Sequence, residues 1–307
     1  MTFKIAVTGG KGGVGKTLIS VNLAAKLAVN KKVLLIDCDT DNPNCHLLLG
    51  IPSMDAIQWD NVEPIPSYIP KINEESCTKC GICSKKCYRH AIIQFKDQFP
   101  VFTEHLCTGC QLCERLCPNG AIVGETKKLG LYFFKKEIRP NLDICIGELS
   151  IGDAYSEKVV DFTIGKAQEL PNYRKYDYII IDSAPGVHCD VKRVLESVDH
   201  VFCVTEPTPF GLYDLKRVLE LVKLVNRRSY IIVNRSNITE KFDRIESFAK
   251  NNYIPLIGAI PNDPIVVEDY NQGLPFALDD RTFPAKSAFE VFLKNMNTEA
   301  FGGETND

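Results

Sequence analysis

Two places in this 307-residue chain hold residues whose types and spacing could do chemistry: a glycine run, GGKGGVGKT, at 9–17, and a crowd of cysteines between 77 and 117. In the first, Gly10, Gly15, Lys16 and Thr17 fit G-x-x-x-x-G-K-[ST], the phosphate-cradling loop. Gly12, Gly13 and Val14 fill its centre. Without Cβ atoms in the way, successive backbone N–H groups can turn inward, and with a helix N-terminus behind them they seat a polyphosphate. Lys16 is then placed to reach the terminal phosphates, and the Thr17 hydroxyl to hold Mg²⁺. Carboxylates suited to the same chemistry end two apolar runs. Asp39 lies in Asp37-Cys38-Asp39-Thr40-Asp41 after Val33–Ile36, and Asp182 follows Tyr178–Ile181. Asp182 occupies the Walker B position, able to hold Mg²⁺ through water; the plainer alternative is an aspartate that caps a helix.

The second place suggests metal. Eight of the 13 cysteines lie between Cys77 and Cys117. Cys77, Cys80, Cys83 and Cys87 read C-x2-C-x2-C-x3-C, and Cys107, Cys110, Cys113 and Cys117 repeat it 30 residues later. Ala91-Ile92 and Ala121-Ile122 keep the same offset. In a chain without an evident export signal such density reads as ligation before disulfides. Zinc prefers two C-x2-C pairs divided by a longer loop, whereas thiolates three apart can wrap three corners of an iron–sulfur cube. Zinc and disulfides remain the alternatives. The pattern resembles that of two-cluster bacterial ferredoxins, in which the last cysteine of each run serves the other cluster. The resemblance implies one [4Fe-4S] cluster on Cys77, Cys80, Cys83 and Cys117, and another on Cys107, Cys110, Cys113 and Cys87. Pro118 fits that pattern; Tyr88 stands where the first run would have proline.

These residues need a frame. Phe3–Val7 reads as a strand leading into the glycine run, and Leu18–Val29 as the helix leaving it. Val33–Ile36 is apolar at every residue, as suits a strand covered on both faces of a parallel sheet. Residues 50–71, with Pro52, Pro64, Pro66 and Pro70, read as a connection leaving the main domain. Ile92–Phe95 and Pro100–Thr103 suggest a short hairpin. Strands at 131–134, 142–146, 178–181, 200–204, 230–233 and 256–260 alternate with helices at 157–170, 191–197, 212–225 and 239–250. That alternation predicts an α/β fold, a mostly parallel doubly wound sheet with helices on both faces. The cysteine repeat adds a small α+β domain at 61–124, inserted into a nucleotide-binding domain of 1–60 and 125–307. Residues 285–296 read as a helix docked on the domain surface, and 302–307 as a frayed tail.

Composition narrows the partners. The net charge of −3 offers no global basic field, so no nucleic acid is expected. No apolar run approaches the ~20 residues needed to span a bilayer, and no secretory leader is evident; the expectation is a cytoplasmic protein without a membrane partner. His46, His90, His105, His188 and His200 are isolated and read as surface or core residues. Cys38, Cys45, Cys145 and Cys203 read as small hydrophobes, while Cys189 is open to packing or redox contact.

The chain resembles the MinD/Mrp-type P-loop ATPases, and more narrowly those with an inserted ferredoxin domain. The resemblance is carried by GGKGGVGKT with its additional lysine, DCDTDNPN at 37–44, IIIDSAPG at 179–186, TEPTPFG at 205–211, VNRS at 233–236 and IPNDP at 260–264. It implies slow ATP hydrolysis and a nucleotide-dependent homodimer in which Lys11 reaches the partner's ATP. It also implies that Asp39 positions water, that Asp182 and Thr17 organise Mg²⁺, and that Asn234 and Pro261 contact adenine. The favoured function is an ATP-driven switch that gates electron transfer through two clusters to a redox partner. The alternatives are an assembly or carrier factor for metallocofactors, and an adaptor or spatial regulator with structural clusters.

Overall fold

A computed structural model describes residues 2–239 and 243–302. The chain divides into two compact units, Met1–Val62 with Tyr132–Glu148 and Ser156–Asp307, and Glu63–Leu131 with Leu149–Tyr155.

The first unit alternates strands and helices. In chain order it contains β1 (Phe3–Thr8), α1 (Lys16–Leu27) and β2 (Val33–Cys38). Then come the long strands β3 (Asn61–Ile72) and β6 (Ile122–Arg139), which contribute to both units, and β7 (Leu142–Leu149). It continues with α4 (Ser156–Glu169), β8 (Tyr178–Ser183), α5 (Cys189–Glu196), β9 (His200–Thr205) and α6 (Pro209–Leu224). The last elements are β10 (Arg228–Asn234), α7 (Asp243–Asn251), β11 (Leu256–Ile260), α8 (Pro264–Asn271) and α9 (Pro284–Asn295). The sheet order is β11-β10-β9-β1-β8-β2-β7-β6-β3. From β11 to β7 every pair is parallel. Every residue of β2, β8 and β9 is buried, which is why their sequences are continuous rather than alternating. The expected α/β fold with a large, mostly parallel sheet is present.

The register fixes the chemistry. Val7 and Asp37 both pair with Asp182, so two carboxylates stand side by side at the C-terminal ends of adjacent strands. Helix starts carry their own signals. Thr208 Oγ1 accepts from Gly211 N at 2.9 Å with Pro209 in the first turn of α6, and Asp263 caps α8 ahead of Pro264. Both follow the cap-then-proline pattern of helix N-termini.

Several expectations need correction. Residues 61–72, read as part of an irregular connection, form β3. β3 is the sheet's edge, the position at which a strand tolerates proline. The strand expected at 131–134 is the middle of the 18-residue β6. The fold also contains α8, whose cap Asp263 and Pro264 had been read only as a motif. The helix expected at 239–250 is described only as α7, since 240–242, like 303–307 of the expected frayed tail, lie outside the described residues.

The second unit contains α2 (Ile82–Lys86), β4 (Ile92–Ile93), β5 (Val101–Phe102) and α3 (Leu112–Arg115). The hairpin is antiparallel, shorter than expected, and pairs Ile92 with Phe102 and Ile93 with Val101. Its backbone repeats at the offset of 30. Lys79 and Gly109, Gly81 and Gln111, and His90 and Gly120 all have left-handed φ. Across the repeat the bonds exchange: Asn73 N donates to Ala121 O at 2.7 Å, and Thr103 N to Ala91 O at 2.8 Å.

On the first unit's sheet, Phe292 of α9 is fully buried and meets Phe202 and Phe289 edge-on at 5.9 and 5.2 Å. Phe292→Ala should lower the unfolding free energy by about 3–5 kcal/mol, read as a fall in denaturation midpoint at unchanged m-value.

Candidate functional site

The glycine run joins β1 to α1 and opens onto a cleft of about 650 Å³. Gly12 and Gly13 have nothing within 4 Å of where a Cβ would stand, so their backbone faces free space. Gly15 differs: its φ is +98°, and a Cβ would lie 2.2 Å from Asn234 Nδ2. That amide donates to Val14 O at 2.9 Å, tying the loop to the end of β10. Lys16 is buried at the first position of α1 and lines the cleft with Thr17. Asp39 lines it just beyond β2, and Pro261, Asn262, Val266 and Tyr270 wall its far side.

Asp182 is the electrostatic centre. It is fully buried, and accepts from Thr17 Oγ1 at 2.6 Å and Ser20 Oγ at 2.7 Å. Asp37, also fully buried, accepts from Asp39 N at 3.1 Å and Cys45 N at 2.9 Å. Ligand atoms of Asp37, Cys45 and Asp182 all lie within 4.8 Å of one another. Burial, then the charge of Asp182, pushes Asp37 up to about 8. Burial also raises Asp182, against the hydrogen bond from Thr17 and the charge of Lys16. Asp39 is pushed up to about 7 by burial and then by Asp182, with Lys16 opposing. Carboxylates this close and this dry call for a proton or a cation among them. Thr17 and Asp182 fit the donor set of a hard divalent ion.

Lys11, half-exposed, lies 3.4 Å from Glu206 Oε2, and Arg235 holds the other oxygen of the same carboxylate. Sequence reasoning missed Ser20, Asp37 and Glu206. Asp37 stood in the acidic stretch with Asp39, but only the β2–β8 register distinguishes it. Ser20 lies one helical turn after Lys16, on the face of α1 that meets β8. Cys45, read as a small hydrophobe, is indeed buried, yet its Sγ lies 3.8 Å from Asp182 Oδ2.

In the second unit the eight repeat cysteines line two cavities. One is lined by Cys77, Cys80, Cys83 and Cys117, the other by Cys87, Cys107, Cys110 and Cys113. N–H groups donate to sulfur, among them Lys79 to Cys77 at 3.4 Å, Gly109 to Cys107 at 3.4 Å, and Ala121 to Cys117 at 3.2 Å. Apolar Ile72, Pro118, Ala121 and Ile122 complete the first cavity, and Tyr68, Pro70, Ala91 and Ile92 the second.

A parallel sheet, a phosphate loop at the switch from β1 to α1, and acidic residues at the neighbouring strand ends define a P-loop nucleotide-binding protein. The chain belongs to the CobQ/CobB/MinD/ParA nucleotide binding domain family, which matches residues 5–276, and is thus a MinD/ParA-type nucleotide-binding ATPase. It is 33% identical over 272 residues to an uncharacterized protein of Methanocaldococcus jannaschii, covering 89% of this chain and 90% of that one. It is 24% identical over 303 residues to the septum site-determining protein MinD of Synechocystis, covering 95% and 88%. In fold it is similar to the cell division ATPase MinD of Pyrococcus furiosus, with a TM-score of 0.59 at 19% identity over 97% of this chain and 99% of that one.

Gly15→Ala forces both a left-handed alanine and a clash with Asn234. It should cost about 1–3 kcal/mol, and Gly15→Ala/Asn234→Ala should cost less than the sum of the single changes. Urea titration of the four proteins checks this coupling.

Proposed function

We propose that this chain is a Mg·ATP-dependent switch that couples nucleotide-driven homodimerisation to one-electron transfer through two [4Fe-4S] clusters in its second unit. The observation that carries the reading is the exchange of cysteines between cavities, each lined by three of one run and the last of the other. Zinc or disulfides would not require that crossing, whereas two cubes held by one repeat do. The inserted domain, the cluster ligands and a cytoplasmic setting belong to this proposal.

The nucleotide half rests on family and geometry together. A MinD of Pyrococcus horikoshii was crystallised with Mg-ADP, and this chain offers the corresponding kind of seat. Backbone donors of Gly10 to Gly15 would take the phosphates, Lys16 would neutralise the terminal ones, and Thr17 with Asp182 would hold Mg²⁺, whose charge would stabilise the phosphates when bound. Asp39, just beyond the end of β2, orients the attacking water. Asn234 and Pro261 border the base. Lys11 leaves Glu206 to reach the nucleotide of a second copy. The clusters, held by the cysteines named above, would store and pass single electrons, and the chain's part is to fix their ligands and exclude water from Ile72, Ile92 and Ile122 around them.

Anaerobically purified protein should carry about eight iron and eight sulfide per chain. Cys87→Ser should perturb the cluster otherwise built from the second run; colourless protein, or zinc at that stoichiometry, overturns the cluster reading. With ATP, Asp39→Ala should accumulate as a dimer on sizing columns while Lys11→Ala stays monomeric. Like behaviour of the two variants overturns the trans role of Lys11.

A further inference from the structure

The second unit repeats in backbone but not in charge. Lys79, Lys86, Arg89 and Lys96 correspond, 30 residues on, to Gly109, Leu116, Asn119 and Thr126. Only Lys85 meets a cation, Arg115. Of the two lysines beyond the second run, Lys127 is held by acids, 3.0 Å from Asp153 and 3.8 Å from Glu104, while Lys128 is exposed; Lys71, ahead of the first run, pairs with Glu125. On the first run Lys79 lies over the Phe99 ring at 4.4 Å. Among the described residues, Lys85, Lys86, Arg89 and Lys96 have no carboxylate within ion-pair distance, and all four are exposed.

Lys86 and Arg89 line the second cysteine cavity, while Lys96, next to exposed Asp97, lies in the β4–β5 turn, which carries an apolar centre. Ile93 and Val101 pair across the β4–β5 hairpin and are 49% and 63% exposed. Phe95, just beyond β4, is 74% exposed. The same hairpin walls the first cysteine cavity through Gln94 and Pro100, and Cys80 of that cavity reaches the surface. Exposed apolar side chains with exposed lysines nearby in the chain, next to a cysteine that reaches solvent, have the anatomy of a small transient interface.

We propose that this face, centred on Ile93, Phe95 and Val101 and rimmed by Lys79, Lys85 and Lys96, docks an acidic one-electron carrier protein. Electrons enter or leave through the cavity of Cys77, Cys80, Cys83 and Cys117. The proposal rests on the cluster reading above. Opposite charges steer the encounter from beyond contact distance, the apolar centre removes water once the two meet, and Cys80 sets the short path. In the exchange with a plant-type ferredoxin one electron leaves the chain and the ferredoxin's diferric centre becomes mixed-valent. No atom or proton is transferred.

The test uses the full chain, purified anaerobically, reduced with dithionite, freed of excess reductant and mixed by stopped flow with an oxidised acidic plant-type ferredoxin. The second-order rate should fall about tenfold or more between low and high salt. Lys85→Glu/Lys96→Glu should be slower by about tenfold at low salt and nearly insensitive to added salt, while Lys127→Glu stays within about twofold of the parent. Iron and sulfide are measured first on every variant. Iron-free parent protein overturns the cluster reading together with this exit route. Full iron content with an unchanged rate in the double variant overturns the docking face alone. So does a patch that instead holds phosphatidylserine vesicles, losing them in the double variant while the ferredoxin rate is unmoved.

Discussion

Two carboxylates that share a strand register set the terms for the first unit. Asp37 and Asp182 are forced together by the β2–β8 pairing and kept from water by the sheet and by α1. Like charges this close in a dry place are costly, and the surrounding residues are arranged to reduce that cost. Thr17 and Ser20 donate to Asp182, Lys16 sits buried nearby, and the backbone of Asp39 and Cys45 donates to Asp37. A cation brought in with a phosphate chain would complete the neutralisation. The loop, the first turn of α1 and the strand ends therefore act as a single electrostatic object.

Glu206 extends that object sideways. A carboxylate almost wholly buried, it takes Lys11 from the glycine loop on one oxygen and Arg235 from the end of β10 on the other. Asn234, the neighbour of Arg235, grips the loop's backbone through Val14. The phosphate end of the cleft and its far wall are thus tied through two adjacent residues, so that a lysine leaving Glu206 changes the charge balance at both.

Much of this was legible in the chain itself. Continuous apolar runs gave away the buried parallel strands, and glycine, lysine and threonine at fixed spacing marked the loop, because backbone geometry there tolerates few alternatives. Cysteine spacing disclosed a twofold repeat, whose exchanged Asn73–Ala121 and Thr103–Ala91 bonds the folded chain then makes visible. What stayed hidden depends on register or on position within the sheet. Asp37 gains its importance only from pairing with Asp182 of β8, and Ser20 only from which face of α1 meets that strand. The prolines of residues 61–72 argued for an irregular connection because local preference carries no information about which strand ends up outermost.

That outermost strand has a further consequence. Pro64, Pro66 and Pro70 are separated by even numbers of residues, and amides of alternate residues in a strand point to the same side. Proline has no N–H, so none of the three can donate a hydrogen bond from the strand at the sheet's edge. A rim stripped of hydrogen at three places cannot template the stacking of a stranger's backbone. β3 can therefore stand at the margin of a nine-stranded sheet with fewer donors for a stranger's backbone.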